Sequence, residues 1–167
     1  MLKKFTVLTA LLTFAGVAVH AEQLVAEGID AKGLPNGWQS YGKGPGIVKV
    51  EKGLVQITDQ SDVNEWGIKK LIPIPQAGKY DFTLDGACTA AGGQMVAVAS
   101  IPGQKNKVIG IKQVPVTGSA DKFVKTTLTV DAPEGCTKIY FHIYSQYKPK
   151  ADFVIRGIEF APDPFPP

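Results

Sequence analysis

TKIYFHIYSQ, at residues 137–146, alternates between two kinds of side chain. Because successive side chains of a β-strand leave on opposite faces, this alternation predicts a strand with one apolar face and one face of different chemistry. The apolar set is Ile139, Phe141 and Ile143, and the other set is Lys138, Tyr140, His142, Tyr144 and Gln146. The first set predicts a core stripe. A plain solvent face would carry Thr, Lys and Glu, so two tyrosines around a histidine need an explanation.

Two explanations fit this polar aromatic face. Pyranose rings present apolar C–H faces that pack on aromatic rings, and their hydroxyls need nearby donors and acceptors, so the face suits a sugar-binding surface. His142, Gln146 and Lys138 would then supply the hydrogen bonds. Alternatively, cross-strand aromatic pairs stabilise a sheet and bind nothing. The strand by itself leaves both explanations open.

The N-terminus has the organisation of a signal peptide. Lys3 and Lys4 form a basic start, residues 5–19 are mostly apolar, and Ala21 ends a pattern typical of a cleavage site. The apolar run is too short and interrupted for a membrane span. We therefore expect cleavage near Ala21, a mature chain that begins at Glu22, and a secreted or periplasmic protein.

Composition limits the function further. Residues 22–167 are enough for a single domain. The formal charge of +3 includes Lys3 and Lys4, so their removal lowers it to +1, and no Lys/Arg cluster follows. Nucleic acid is therefore not an expected partner.

The two cysteines, Cys88 and Cys136, are expected to form a disulfide, because an even pair in an exported protein most simply does so. Cys88 falls on the inward parity of its predicted strand. A metal site made of both cysteines and His142 would lack a fourth ligand and the usual spacing. His142 is the single histidine that follows the predicted cleavage site.

The remaining chain reads as short strands and turns. A Lys52-Gly53 turn predicts a hairpin, Gly78–Cys88 alternates as a half-buried strand, and a change of parity near Arg156-Gly157 predicts a bulge. No window keeps helical apolar spacing with cap signals. About nine short strands at even spacing predict an all-β fold, a two-sheet antiparallel β-sandwich or jelly roll, with its core at about residues 47–160.

Catalytic and metal motifs are not evident. Asp81 and Asp85 share a face but do not form the isolated carboxyl pair of a glycosidase. The sequence contains no G-x-S-x-G elbow, phosphate loop or dinucleotide fingerprint. Residues 59–62 offer oxygen ligands of the kind calcium uses, but they match no complete loop motif. We expect no enzyme and no cofactor, and metal ligands are not assigned.

Several stretches together resemble the galactose-binding-like jelly rolls, many of which are carbohydrate-binding modules of polysaccharide-degrading enzymes. These are the G-x-Y-x-F pattern at residues 78–82, IYFHIY at 139–144 and FVIRGIEF at 153–160. The resemblance lies in the order and the residue patterns of the predicted strands over about residues 47–160. It implies a glycan ligand that contacts aromatic and polar residues on a sheet face or in loops. The matching positions are Tyr140, His142 and Tyr144, with Trp66 and Trp38 at a loop or edge.

The leading hypothesis is therefore an exported, non-catalytic carbohydrate-binding domain. The alternative is a structural or protein-interaction component of the bacterial cell envelope, with the aromatic face as an oligomer interface or as the interface to an envelope protein partner. A third hypothesis is a small hydrolase or lyase that uses a tyrosine and His142 as acid and base.

Overall fold

Short alternating segments and tight turns divide the chain into strands throughout the part that the computed structural model describes, which is residues 22–23 and 32–162. These residues form no helix, and so contain no helix that could span a membrane. The predicted signal peptide at residues 1–21 lies outside the described residues. The strands are β1 (Glu22–Gln23), β2 (Trp38–Gly42), β3 (Gly46–Glu51), β4 (Leu54–Asp59), β5 (Trp66–Pro73), β6 (Gly78–Cys88), β7 (Gly93–Ser100), β8 (Lys107–Gln113), β9 (Val124–Ala132), β10 (Lys138–Ser145) and β11 (Phe153–Pro162).

The strands form two antiparallel sheets. The front sheet has the order β2-β5-β10-β7-β8, and the back sheet has the order β3-β4-β11-β6-β9, with β1 beside β11. Neighbours in each sheet are mostly distant in sequence, so the chain crosses repeatedly from one sheet to the other. The predicted two-sheet β-sandwich is confirmed, and β10 lies at the centre of the front sheet.

The core lies between the sheets and contains the apolar face of β10. Ile139, Phe141 and Ile143 are completely buried, as their parity predicted. The ring of Phe141 stacks on that of Phe82 from the back sheet, with centroids 4.5 Å apart and an interplanar angle of 10°. A buried aromatic pair of this kind adds about 0.5–1.5 kcal/mol beyond its area burial. It fixes the centre of one sheet against the other.

Local backbone features follow the sequence signals. Lys52 and Gly53 both have positive φ angles, 52° and 76°, and join β3 to β4 with Glu51 paired to Leu54. Two successive positive φ angles are the geometry of the type I′ hairpin turn, which glycine tolerates without strain. In β11 the pairing with β6 shifts between Ile155 and Gly157, which confirms the predicted bulge.

The expected disulfide is wrong: both cysteines are free and buried. The Sγ atom of Cys88 lies beside Gly93, at the start of β7. Thr137, the neighbour of Cys136, is hydrogen-bonded to Ser100 at the end of β7. The length of β7, about 23 Å at the usual rise per residue, therefore separates the two thiols, far beyond the reach of a disulfide. Burial raises the pKa of the Cys88 thiol and makes it less reactive.

Candidate functional site

The outer face of the front sheet carries the polar aromatic side of β10. The register places Tyr140 between Leu71 of β5 and Val98 of β7. His142 lies between Lys69 and Val96 in the same two strands, and Tyr144 lies between Gly67 and Gln94. The structure thus brings the three residues predicted from this strand together on one face. The central position of β10 holds their backbones rigidly on both sides.

Tyr41 of β2 completes the cluster. Its ring centroid lies 4.6 Å from that of His142, nearly perpendicular to it, and 5.4 Å from that of Tyr144. The hydroxyl of Tyr41 donates a hydrogen bond of 3.3 Å to Glu65 Oε1. Sequence reasoning did not assign Tyr41 to the site, although its parity, opposite to that of the apolar Trp38, is a signal for the outer face. We call Tyr41, Tyr140, His142 and Tyr144 the aromatic cluster.

Gly67 makes this cluster sterically feasible. A Cβ atom at this position would clash with the carbonyl oxygen of Ile143 and would lie 2.5 Å from Tyr144 Cα. Gly67 pairs with Tyr41 on one side and with Tyr144 on the other. A side chain at this position would thus occupy the space over which the two tyrosine rings approach each other.

His142 is neutral at physiological pH. Its side chain is 9% exposed, and burial, together with the positive charge of Lys69, lowers its pKa to about 4. A neutral imidazole offers one hydrogen-bond donor and one acceptor, which is the pairing that a sugar hydroxyl can use. Tyr144 is fixed by a 2.8 Å hydrogen bond from its hydroxyl to Gln94 Oε1, and burial raises its pKa.

Two shallow hollows flank His142 and Tyr41. One, with a volume of about 230 Å³, is lined by Lys69, Val98, Asn106, Tyr140 and His142. The other, of about 290 Å³, is lined by Tyr41, Gly42, Lys43, Asn64 and Glu65. A larger hollow of about 510 Å³ is lined by Lys32, Leu34 and the first residues of β2. The first hollow combines an aromatic ring, an apolar wall and polar tips.

An apolar band continues from this hollow toward the sheet edge. Val96 and Val98 of β7 point outward beside His142 and Tyr140, and β8 adds Ile111 and Val108 in register with them. Val108 and Ile111 are 51% and 58% exposed. Val96 and Val98 were not assigned to the site from the sequence.

The two tryptophans expected at a loop or edge are instead in the core, which corrects that prediction. Trp38 is 2% exposed and meets Phe141 edge-on at 6.4 Å. Trp66 is 5% exposed, and its ring packs so closely against Gly46 that a Cβ atom there would overlap it. Both residues begin regular strands on the inward parity, so neither ring offers a face to a ligand.

Asp81 and Asp85, the carboxylates considered as a pair in the sequence, lie on the back sheet, away from the aromatic cluster. Asp81 accepts a 2.6 Å hydrogen bond from Thr129, and Asp85 pairs with Arg156, all on the back sheet. In residues 32–162, no group of three or more His, Cys, Asp or Glu side chains is arranged to hold a metal ion. In the segment considered for calcium, Asp59 accepts a 2.8 Å hydrogen bond from the backbone of Ser61.

Comparison with known proteins gives no match in sequence: no family model matches the chain, and neither does any curated protein. Solved structures do match. The CBM22-1–GH10 modules of a Clostridium thermocellum endo-1,4-β-D-xylanase, complexed with xylohexaose, match with a TM-score of 0.58 and 11% identity over 76% of this chain and 26% of that chain. A CBM29-2 variant complexed with cellulohexaose matches with a TM-score of 0.53 and 17% identity over 87% of this chain and 92% of the other.

A third match is the C-terminal CBM6 of LamC, a marine laminarinase from Zobellia galactanivorans. Its TM-score is 0.50, with 16% identity over 74% of this chain and 98% of the other. The chain has the fold of a carbohydrate-binding module. The resemblance predicted from the sequence is thereby confirmed for the fold. Identities of 11–17% show a shared fold and do not assign ligand-contacting residues to this chain.

Proposed function

We propose that this protein is an exported, non-catalytic binder of carbohydrate, and that the outer face of the front sheet holds the glycan. The observation that carries the proposal is the hollow beside β10, where Tyr140, His142, Lys69 and Val98 converge. The fold shared with modules solved in complex with xylohexaose and cellulohexaose supports it.

In the proposed complex, the C–H face of a pyranose ring packs on Tyr140 and Val98. The ring hydroxyls bond to the neutral His142, to the ammonium of Lys69 and to the amide of Asn106. A longer glycan would extend toward the apolar band or toward Tyr41. No bond is broken in this mechanism. The hollow's lining includes no carboxyl pair of the kind that glycoside hydrolysis requires.

Export is supported by the signal-peptide pattern of residues 1–21. Sequencing the N-terminus of the protein recovered from outside the cytoplasm tests it. We expect Glu22 as the first residue. A protein that retains residues 1–21 and stays with the cytoplasm would contradict export.

A glycan-array screen of the purified protein, with and without calcium, tests the binding function. We expect selective retention of one polysaccharide class. If binding depends on calcium, a calcium ion takes part, and residues 59–62 are the first candidates for its ligands. A folded protein that binds no glycan on the array would contradict the proposal.

A second candidate function is a structural or interaction component of the cell envelope, in which this side of the front sheet forms an oligomer or partner interface. Val108 and Ile111 favour it, because they are exposed apolar residues on β8, an edge strand that can pair with another chain. Light scattering separates the two functions. An oligomer that Ile111→Lys dissociates, with no glycan retained, would favour the interface. A monomer that retains a glycan would favour carbohydrate binding.

A further inference from the structure

Charge is unequally divided between the two sheets. The five strands of the front sheet contain five lysines and no aspartate or glutamate. The five long strands of the back sheet contain four cations and six carboxylates. The front-sheet lysines are Lys69, Lys70, Lys107, Lys112 and Lys138; the back-sheet residues are Lys49, Lys79, Lys125, Arg156, Glu51, Asp59, Asp81, Asp85, Asp131 and Glu159. The sheet that carries the aromatic cluster is therefore the cationic one.

Lys69 is the cation within the hollow. It lies in register with His142, and its ammonium is 5.8 Å from the centroid of the Tyr140 ring. Each ion pair found in residues 32–162 uses another cation, namely Lys125, Lys150 or Arg156. Lys69 is thus a half-buried residue whose ammonium lies near an aromatic ring, and none of these ion pairs involves it.

The other groups that line the hollow are neutral. Asn106, Tyr140 and Val98 carry no charge, and His142 is uncharged at neutral pH. Lys138 adds a second cation to the same outer face, two residues before Tyr140 on β10. An anionic group that enters the hollow meets attraction and no repulsion from its lining. Charge-assisted hydrogen bonds are about twice as strong as neutral ones.

We infer that the glycan is acidic: a polysaccharide whose uronate carboxylate pairs with Lys69 while the same pyranose ring packs on Tyr140 and Val98. This inference rests on the proposed carbohydrate-binding function and adds the class of sugar. A neutral glycan in the hollow would cover the Lys69 ammonium and supply no anion to pair with it. A polyanion without sugar rings would leave Tyr140 and Val98 without a packing partner.

The test compares polyuronates with uncharged polymers of the same linkage. Polygalacturonate, alginate and hyaluronan are each measured beside their carboxyl-reduced counterparts, with poly-L-glutamate as a polyanion that has no pyranose ring. We expect at least one polyuronate to bind roughly tenfold more tightly than its reduced counterpart and than poly-L-glutamate. Added salt should weaken that preference, because part of it is Coulombic.

Variants assign the preference to a residue. Lys69→Gln should lower affinity for the polyuronate roughly tenfold, to the level of the reduced polymer, and Lys69→Arg should keep the preference. Lys79→Gln is the matched control, since it removes the same charge from the exposed outside of the back sheet and should change nothing.

Each contrary outcome has a distinct meaning. Equal or tighter binding of the reduced polymers overturns the acidic ligand and leaves carbohydrate binding intact. Equally tight binding of poly-L-glutamate overturns it too, because charge alone would then suffice. A Lys69→Gln variant with its acid preference unchanged overturns the role of Lys69. Binding to none of these polymers and to no array glycan overturns both the inference and the proposed function.

Discussion

Single residues of β10 show how parity separates stability from function in this protein. Phe141 is buried against Phe82, and its neighbours Tyr140 and His142 face outward into a hollow. A change on the outward parity removes surface that a ligand can use and leaves the stacked core in place. Loss of the Tyr140 ring should therefore affect ligand binding, and protonation of His142 should affect stability.

Tyr140→Ala should weaken glycan binding about tenfold, because one ring-to-sugar contact is worth about 1 kcal/mol or more. Stability should change little, since the ring is only half buried. Affinity electrophoresis against the array-selected polysaccharide measures the loss. Tyr147→Ala, in the turn after β10 and 39% exposed, is the matched control. Unchanged retention by a folded Tyr140→Ala protein would remove Tyr140 from the site.

His142 should make the native state sensitive to mild acid. Its folded pKa of about 4 lies below the unfolded value of 6.5, so between these pH values the unfolded chain binds a proton that the native state rejects. Stability therefore falls as pH falls through this window. Lys69, Tyr41 and Tyr140 face the imidazole, and of these Lys69 is charged and opposes its protonation.

Urea unfolding at pH 7 and pH 5 measures the effect. His142 should contribute a loss of about 2 kcal/mol between these two pH values. His142→Gln has no proton to gain and should show a smaller loss by that amount. Equal losses in the two proteins would mean that the imidazole is already solvated, or protonated, in the native state.

At the scale of elements, contact between β2, β5 and β10 produces the aromatic cluster. The sequence predicted β10 and its two faces correctly, because a period-2 pattern is a local property. It did not predict that Tyr41 meets His142, because that contact depends on the register of β2 on β5 and of β5 on β10. Trp38 and Trp66 were misplaced for a related reason: whether a ring at the start of a strand is covered by the core depends on how that strand packs, which is not a local property of the sequence.

Gly67→Ala should disturb these three strands together. The added methyl group would overlap the backbone of Ile143 and Tyr144, and overpacking of this kind costs about 1–3 kcal/mol. Glycan binding should weaken as well, since Tyr41 and Tyr144 must move apart. Thermal unfolding and affinity electrophoresis report the two effects.

Gly53→Ala provides the control for Gly67→Ala. Its Cβ would meet no atom within 4 Å, and its cost is the strain of a φ of 76°, about 1 kcal/mol. It lies in the β3–β4 turn and should leave glycan binding unchanged. A Gly67→Ala protein as stable as Gly53→Ala, with full binding, would show that the strands yield without disturbing the cluster.

For the whole molecule, the predicted class of fold is confirmed. The order of the strands in each sheet, and the end of the sandwich at which a given turn lies, could not be derived from the sequence. The pattern of short alternating segments is sufficient for a sandwich, because each segment must bury one face against another sheet. The position of a turn at one end or the other depends on the full sequence of crossovers. Cys88 and Cys136 were paired wrongly for this reason: each is buried, but they lie at opposite ends of β7.

The sandwich should therefore be held together by packing alone, without a covalent link between its cysteines. We expect two free thiols per chain after denaturation in the absence of reductant, slow reaction of either thiol in the native state, and the same Tm with and without dithiothreitol. Thiol titration with Ellman's reagent and thermal unfolding measure these properties. A disulfide cannot join two residues about 23 Å apart at opposite ends of β7. A denatured chain with no free thiol, together with a Tm that dithiothreitol lowers, would therefore contradict the strand order.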